Sequence, residues 1–261
     1  MNTSSEETAY SAEVLAAHEQ SLVLAQTPAA TRDQAKLLEQ LRIAAEGGHP
    51  RAQCNLGYLY AVGDGLEADA AEAVRWFKLA AEQDDVQAIY NLSQMYQGGH
   101  GVEADLAVAI EFLRKAANAG HPDALYNLGI FSYNGGEGIE QDHRAAFIFF
   151  ENASTVGHSE ALFSLGLCYS MGHGIAKDDH KAVELYQKAA DKGHANALYN
   201  LGLYYYYGEG GLAKDLKQAE SLFKRAADLG HEKAASAAAS VAEELKASDA
   251  GAGQSFSEIQ L

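Results

Sequence analysis

Apolar residues recur along this chain in two alternating helical registers separated by glycine-rich turns. In EALFSLGLCYSMGHGIAKDDHKAVELYQKAADKGH, Ala161, Leu162, Leu165, Gly166 and Tyr169 fall at helical spacing and predict one apolar face of a first helix. Gly172 and Gly174 follow, and glycine alone takes the left-handed conformation that ends a helix at little cost. Ile175 is an apolar plug, and Asp178 stands where a side-chain oxygen caps the next helix. That second helix turns Ala182, Leu185, Tyr186, Ala189 and Ala190 to one side, and Gly193 closes it.

The same punctuation returns at a fixed distance. AQCNLG at 52, AIYNLS at 88, ALYNLG at 124, ALFSLG at 161 and ALYNLG at 197 are separated by 36, 36, 37 and 36 residues. The capping aspartates repeat with them as Asp69, Asp105, Asp142, Asp178 and Asp215. A fixed period of this size predicts supersecondary units that bury their apolar faces only against neighbours. The expected fold is all-α, an α/α superhelical solenoid of helix-turn-helix repeats, about 36 residues per repeat. The expected boundaries are 50–85, 86–121, 122–158, 159–194 and 195–231. Residues 1–49 form an atypical N-terminal helical cap, with helices over 5–26 and 31–46 and a capping box at TRDQ, 31–34. Residues 232–247 close the array as a helix, and 248–261 are expected to be disordered. Repeats three and five hold one extra residue in the turn, at NGGEGIEQD and YGEGGLAKD, and Pro50 and Pro122 fall in the first turn of a first helix.

The 261 residues include 48% hydrophobic side chains, 25 glycines and three prolines. That is a folded composition whose glycines are explained by the repeat. The net charge of −17 is uneven, with 23 acids against 9 bases over 1–174 and 13 against 10 over 175–261. Such a surface repels phosphate backbones and anionic lipid and favours a partner with a basic segment. Solubility alone is the alternative reading of the same charge. The first twenty residues lack a basic and apolar leader pattern, and no apolar run reaches membrane-spanning length. Cys54 and Cys168 are three repeats apart, too far for a disulfide, and are expected as free thiols in a cytoplasmic protein.

The register A-x-x-x-LG-x-x-Y-x-x-G-x-G-V/I/L-x-x-D-x-x-x-A, followed by AA-x-x-GH, resembles the sel-one-like repeat family, a relative of tetratricopeptide repeats, over roughly residues 31–246. The G-x-G turn distinguishes it from ordinary tetratricopeptide repeats. Departures are Ser93 for the helix glycine, Ser132 for the tyrosine, Asp84 and Asp85 for the closing Gly-His, and Ser164 for the asparagine. The resemblance implies a non-catalytic scaffold or adaptor for other proteins. Secreted, cysteine-rich relatives linked to penicillin binding and β-lactamase activity offer a β-lactam- or cell-wall-directed enzyme as the alternative, and a delivered effector or immunity-type partner is another. Here the paired cysteines of those enzymes are missing.

No chemistry-bearing constellation accompanies the repeat. His49, His121, His158, His194 and His231 each follow the glycine that closes a second helix, so equivalent rings lie about a helix diameter apart, too far for shared metal coordination. GGHGVEAD and GHGIAKDD lack the order of a phosphate loop, and neither a calcium loop nor a nucleophile elbow occurs. No catalytic, cofactor or metal residue is therefore expected.

One ladder is left over. With Leu56, Leu92, Leu128, Leu165 and Leu201 as the core stripe, the two positions before it turn progressively away from the core at about 100° per residue. They hold Tyr90, Tyr126, Phe163 and Tyr199, then Asn55, Asn91, Asn127 and Asn200. By resemblance to tetratricopeptide grooves this is the concave, ligand-facing side, where amides match an extended main chain. The alternative is packing, with the aromatics wedged between first helices and the asparagines bonded to neighbouring backbone. A carboxylate clamp needs basic neighbours, and only Arg51 is near the right place, so an internal segment is the expected ligand. The C-terminal SEIQL is a second candidate for partner binding.

Overall fold

The computed structural model describes residues 10–28, 31–136 and 139–257. Among them are thirteen helices and no strand, the one bridge being Gly136–Ile139 in a turn. The chain divides into two compact units, 1–124 and 125–261. The first holds α1 (Ala12–Gln26), α2 (Gln34–Glu46), α3 (Pro50–Val62), α4 (Ala70–Ala81), α5 (Val86–Gly98) and α6 (Leu106–Asn118). After α7 (Pro122–Asn134), the second holds α8 (His143–Thr155), α9 (Ser159–Met171), α10 (Asp179–Asp191), α11 (Ala195–Tyr207), α12 (Leu216–Asp228) and α13 (Ala234–Ser257).

The repeat is written in caps. Asp69, Asp105, Asp142, Asp178 and Asp215 each accept a backbone N–H two or three residues on, which satisfies an otherwise orphaned donor of the second helix. Each capping aspartate also donates its own N–H back to the first helix, at 2.9 Å to Tyr60, Tyr96 and Tyr169, 2.7 Å to Ser132 and 2.8 Å to Tyr205. The second helix is thus tied to the first before any side chain packs. Where the turn glycine is needed is shown by Gly174, at φ +74°: a Cβ there would run into the backbone of His143 at the start of α8.

The core stripe lies where the periodicity predicts. Leu56, Leu92, Leu128, Leu165 and Leu201 are buried, as are the alanines that open each motif, Ala52, Ala88, Ala124, Ala161 and Ala197. Next to the leucine, Gly57, Gly129, Gly166 and Gly202 each face the ring eight residues after the capping aspartate: Phe77, Phe150, Tyr186 and Phe223. Ser93 replaces this glycine in the second repeat, and there the residue eight after Asp105 is Leu113, not a ring. The smaller partner accommodates the serine, whose hydroxyl donates to the Tyr90 carbonyl at 2.6 Å.

Two other departures have local causes. Asp84 takes the left-handed conformation, φ 60°, of the glycines it replaces, and Asp85 caps α5 through Ala88 N–H at 2.8 Å. At the amino end the cap of α2 is Asp33, which accepts from Lys36 N–H at 3.0 Å, not the expected Thr31, whose hydroxyl turns to Pro28 O. The expected start of the first helix at residue 5 lies outside the described residues. At the carboxyl end α13 spans Ala234–Ser257. No proline interrupts it, and Gly251 and Gly253 each cost about 1 kcal/mol without removing a hydrogen bond. Residues 258–261, most of SEIQL, lie outside the described residues.

Candidate protein-interaction face

A histidine opens most first helices because its ring can accept a hydrogen bond while covering apolar surface. The N–H of Ala52, Ala124, Ala161 and Ala197 donates to Nδ1 of His49, His121, His158 and His194 at 3.4, 3.4, 3.2 and 3.2 Å. A ring nitrogen accepts only through its lone pair, so Nδ1 is the accepting side of each capping ring. Burial holds the His49 and His194 pKa values below the ordinary imidazole range, against the pull of Asp85 and Glu160 respectively.

Each expected aromatic stacks on the histidine that closes its own repeat and stands just before the next helix. Centroid separations are 4.4 Å for Tyr90–His121, 4.9 Å for Tyr126–His158, 4.5 Å for Phe163–His194 and 4.1 Å for Tyr199–His231. The aromatic ladder therefore packs first helix against first helix through a histidine. Packing between first helices was the alternative reading of these rings; the histidine partner was missed, although the spacing of ring to histidine, 31 or 32 residues, repeats four times. The exception fits: the first repeat, 50–85, has Cys54 at the ring position and Asp85 at the histidine position. Cys54 bonds to Asp85 instead, and burial pushes its thiol pKa well up.

The asparagines are half-buried. Asn91 accepts from Gln87 Nε2 at 3.1 Å and donates to Cys54 Sγ at 3.8 Å, while Gln87 Oε1 meets His121 Nε2 at 3.2 Å. These partners are side chains, not the neighbouring backbone of the packing alternative. Asn55 lines a 250 Å³ cavity in the first unit, beside the Arg32–Asp64 ion pair at 3.8 Å.

Within the second unit, Tyr126 and Phe163 come together in a cavity of about 340 Å³, where Tyr133, Phe150, Glu160 and His194 also stand. Ser164, which replaces the ladder asparagine, lines it too. Ser159 Oγ donates to Glu160 Oε2 at 2.7 Å and holds that carboxyl below its usual pKa, so it is ionised at neutral pH. Asn127, Tyr199 and Asn200 do not line this cavity.

Among the described residues no group of three or more His, Cys, Asp or Glu is placed to hold a metal ion, and no helix is long and apolar enough to cross a membrane. Both cysteines are buried and unpaired, and burial lifts the Cys168 thiol to about 11. Such thiols are poor nucleophiles.

The Sel1 repeat model matches residues 50–85, 86–121, 122–158, 159–194 and 195–231. A Sel1 repeat protein from Oxalobacter formigenes is 32% identical with a TM-score of 0.74, over 83% of this chain and 86% of that one. A protective antigen of uropathogenic Escherichia coli with an SLR fold is 28% identical, TM-score 0.53, over 89% of this chain and 57% of that one. An immunity protein from Pseudomonas aeruginosa, 24% identical with a TM-score of 0.51 over 84% of this chain and 83% of that one, shares the fold. No curated protein matches the sequence. Sel1 repeat proteins are generally non-enzymatic scaffolds that mediate protein–protein interactions. With five family repeats covering 50–231 and a solved relative sharing nearly a third of its residues, this chain belongs to the Sel1 repeat family.

Proposed function

We propose that this chain is a non-catalytic, cytoplasmic adaptor that binds a protein segment through the ladder of its first helices: Asn55, Tyr90 and Asn91 in the first unit, and Tyr126, Asn127, Phe163, Tyr199 and Asn200 in the second. The observation that carries the reading is the cavity of about 340 Å³ lined by Tyr126 and Phe163. A cavity of this size is in the range that takes a small ligand or an anchoring side chain. The stacks on His158 and His194 hold the rings that would contact the segment. The buried free thiols suit a reducing compartment. The segment is basic, to complement the net charge of −17.

The test is affinity capture with the full chain, followed by the affinity of the captured partner for Tyr126→Ala/Asn127→Ala. A loss of at least tenfold is expected in the folded double variant, measured below its melting temperature, which losing the Tyr126–His158 stack lowers. Wild-type affinity in a folded double variant overturns the reading.

A further inference from the structure

The cavity beside Glu160 is an aromatic box with a single charge. Among the described residues that line it, Glu160 is the one carboxylate, and no lysine or arginine is present. Tyr126, Tyr133 and Phe163 supply three partly exposed rings, with the buried Phe150 ring centred 5.9 and 6.4 Å from Tyr126 and Tyr133. Ring faces carry negative charge density that attracts a cation, and the attraction grows as water is excluded.

The box is built rather than accidental. His158 stacks on Tyr126 and His194 on Phe163, so two walls are fixed before a ligand arrives. The box also coincides with a departure from the repeat: where the other ladders carry asparagine, this one has the smaller Ser164. Glu160 stays about half exposed at 51%, within reach of an incoming group. His194 lines the box with its Nδ1 accepting from Ala197 N–H, and His158 Nδ1 stands 3.6 Å from Glu160 Oε2, so two histidines neighbour the carboxylate while the box itself supplies no lysine or arginine to pair with it.

We infer that this box is a specificity pocket for an arginine side chain of the bound segment, with the guanidinium against the rings and its N–H groups on Glu160. Arginine fits better than lysine because its planar head stacks on aromatic rings and meets a carboxylate with two parallel N–H groups. The inference rests on the adaptor reading above and names the residue that the ladder selects.

The experiment titrates the full chain with a blocked Gly-Arg-Gly peptide, and with the same peptide carrying citrulline or lysine, while amide shifts are followed by NMR. The arginine peptide is expected to shift amides within 126–133 and 160–167, with citrulline at least fivefold weaker, lysine intermediate, and Glu160→Gln at least fivefold weaker at unchanged melting. Citrulline differs from arginine only in charge and donors, so that comparison needs no variant. Equal affinity for arginine and citrulline overturns the inference, as does no shift at any soluble concentration. A captured partner that needs Tyr126 and Asn127 but not an arginine leaves the adaptor reading standing and removes the pocket. An arginine peptide that binds here, while the partner ignores Tyr126→Ala/Asn127→Ala, does the reverse.

Discussion

Gly202 lies against Phe223: a Cβ at 202 would stand 2.6 Å from Cε1 of that ring, closer than packed atoms approach. Phe223 is 1% exposed and cannot swing away, so the glycine is a packing requirement of the fifth repeat rather than a flexible joint. Gly202→Ala is expected to cost about 1–3 kcal/mol by overpacking, more than the ~1 kcal/mol that alanine returns in helix propensity. The second repeat supplies the rescue in Ser93 with Leu113. Gly202→Ala/Phe223→Leu is therefore predicted to be more stable than the sum of its single changes by about 0.5 kcal/mol or more in a denaturant cycle.

Asp84 occupies a left-handed conformation at φ 60°, where the other repeats use glycine. Its ion pair with Lys115, 2.9 Å long between exposed groups, returns little. Asp84→Gly is expected to stabilise the chain by about 0.5–1 kcal/mol, read as a shift in urea midpoint at constant slope.

Three half-buried histidines, His18 within α1 and the caps His49 and His194, set a pH dependence. His18, His49 and His194 have pKa values lowered in the fold, chiefly by burial, so the unfolded chain binds their protons more tightly. Their contribution to stability is complete above the ordinary imidazole pKa of 6.5 and is lost as pH falls below it toward the folded values. Melting temperature is predicted to drop between pH 7 and 5.5. His194→Asn, which keeps a cap but cannot be protonated, is predicted to reduce that drop. Carboxylates held low by hydrogen bonds, such as Glu160, act in a separate window below 4.5.

The fold was legible because its signals are local. The capping aspartates, the turn glycines and the leucine stripe each act within one helix pair, so spacing alone placed them. Thr31 was misread because the cap was assigned from a motif, whereas Asp33, two residues later, has the side chain that reaches an orphan N–H. The site was only partly legible. Tyr126 and Phe163 were singled out by their angle from the core, but their histidine partners lie 32 and 31 residues away, and Glu160, Tyr133 and Phe150 meet them only in three dimensions. A helical wheel shows which residues leave the core and not what awaits them.

α13 closes the second unit, with Ala238 and Val241 packed with Ala219 and Phe223, and Glu244 bonded to the Tyr206 hydroxyl at 2.9 Å and to Lys214 at 3.2 Å. Truncation after residue 231 is predicted to lower the melting temperature and the yield of soluble protein, because it uncovers Phe223. Truncation after residue 247 keeps all of these contacts and is predicted to melt like the full chain. Equal melting of the two truncations would contradict the capping role.

The most direct measurement of the central claim is an amide spectrum of the full chain, recorded while the captured partner's binding segment is titrated in. The account predicts that the largest shifts fall within 124–134 and 159–167, around Tyr126 and Phe163, and that affinity declines as salt rises, because a basic segment meets an acidic surface screened beyond about 8 Å at physiological ionic strength. Shifts confined to the interhelix turns or to α13, with binding indifferent to salt, would contradict it.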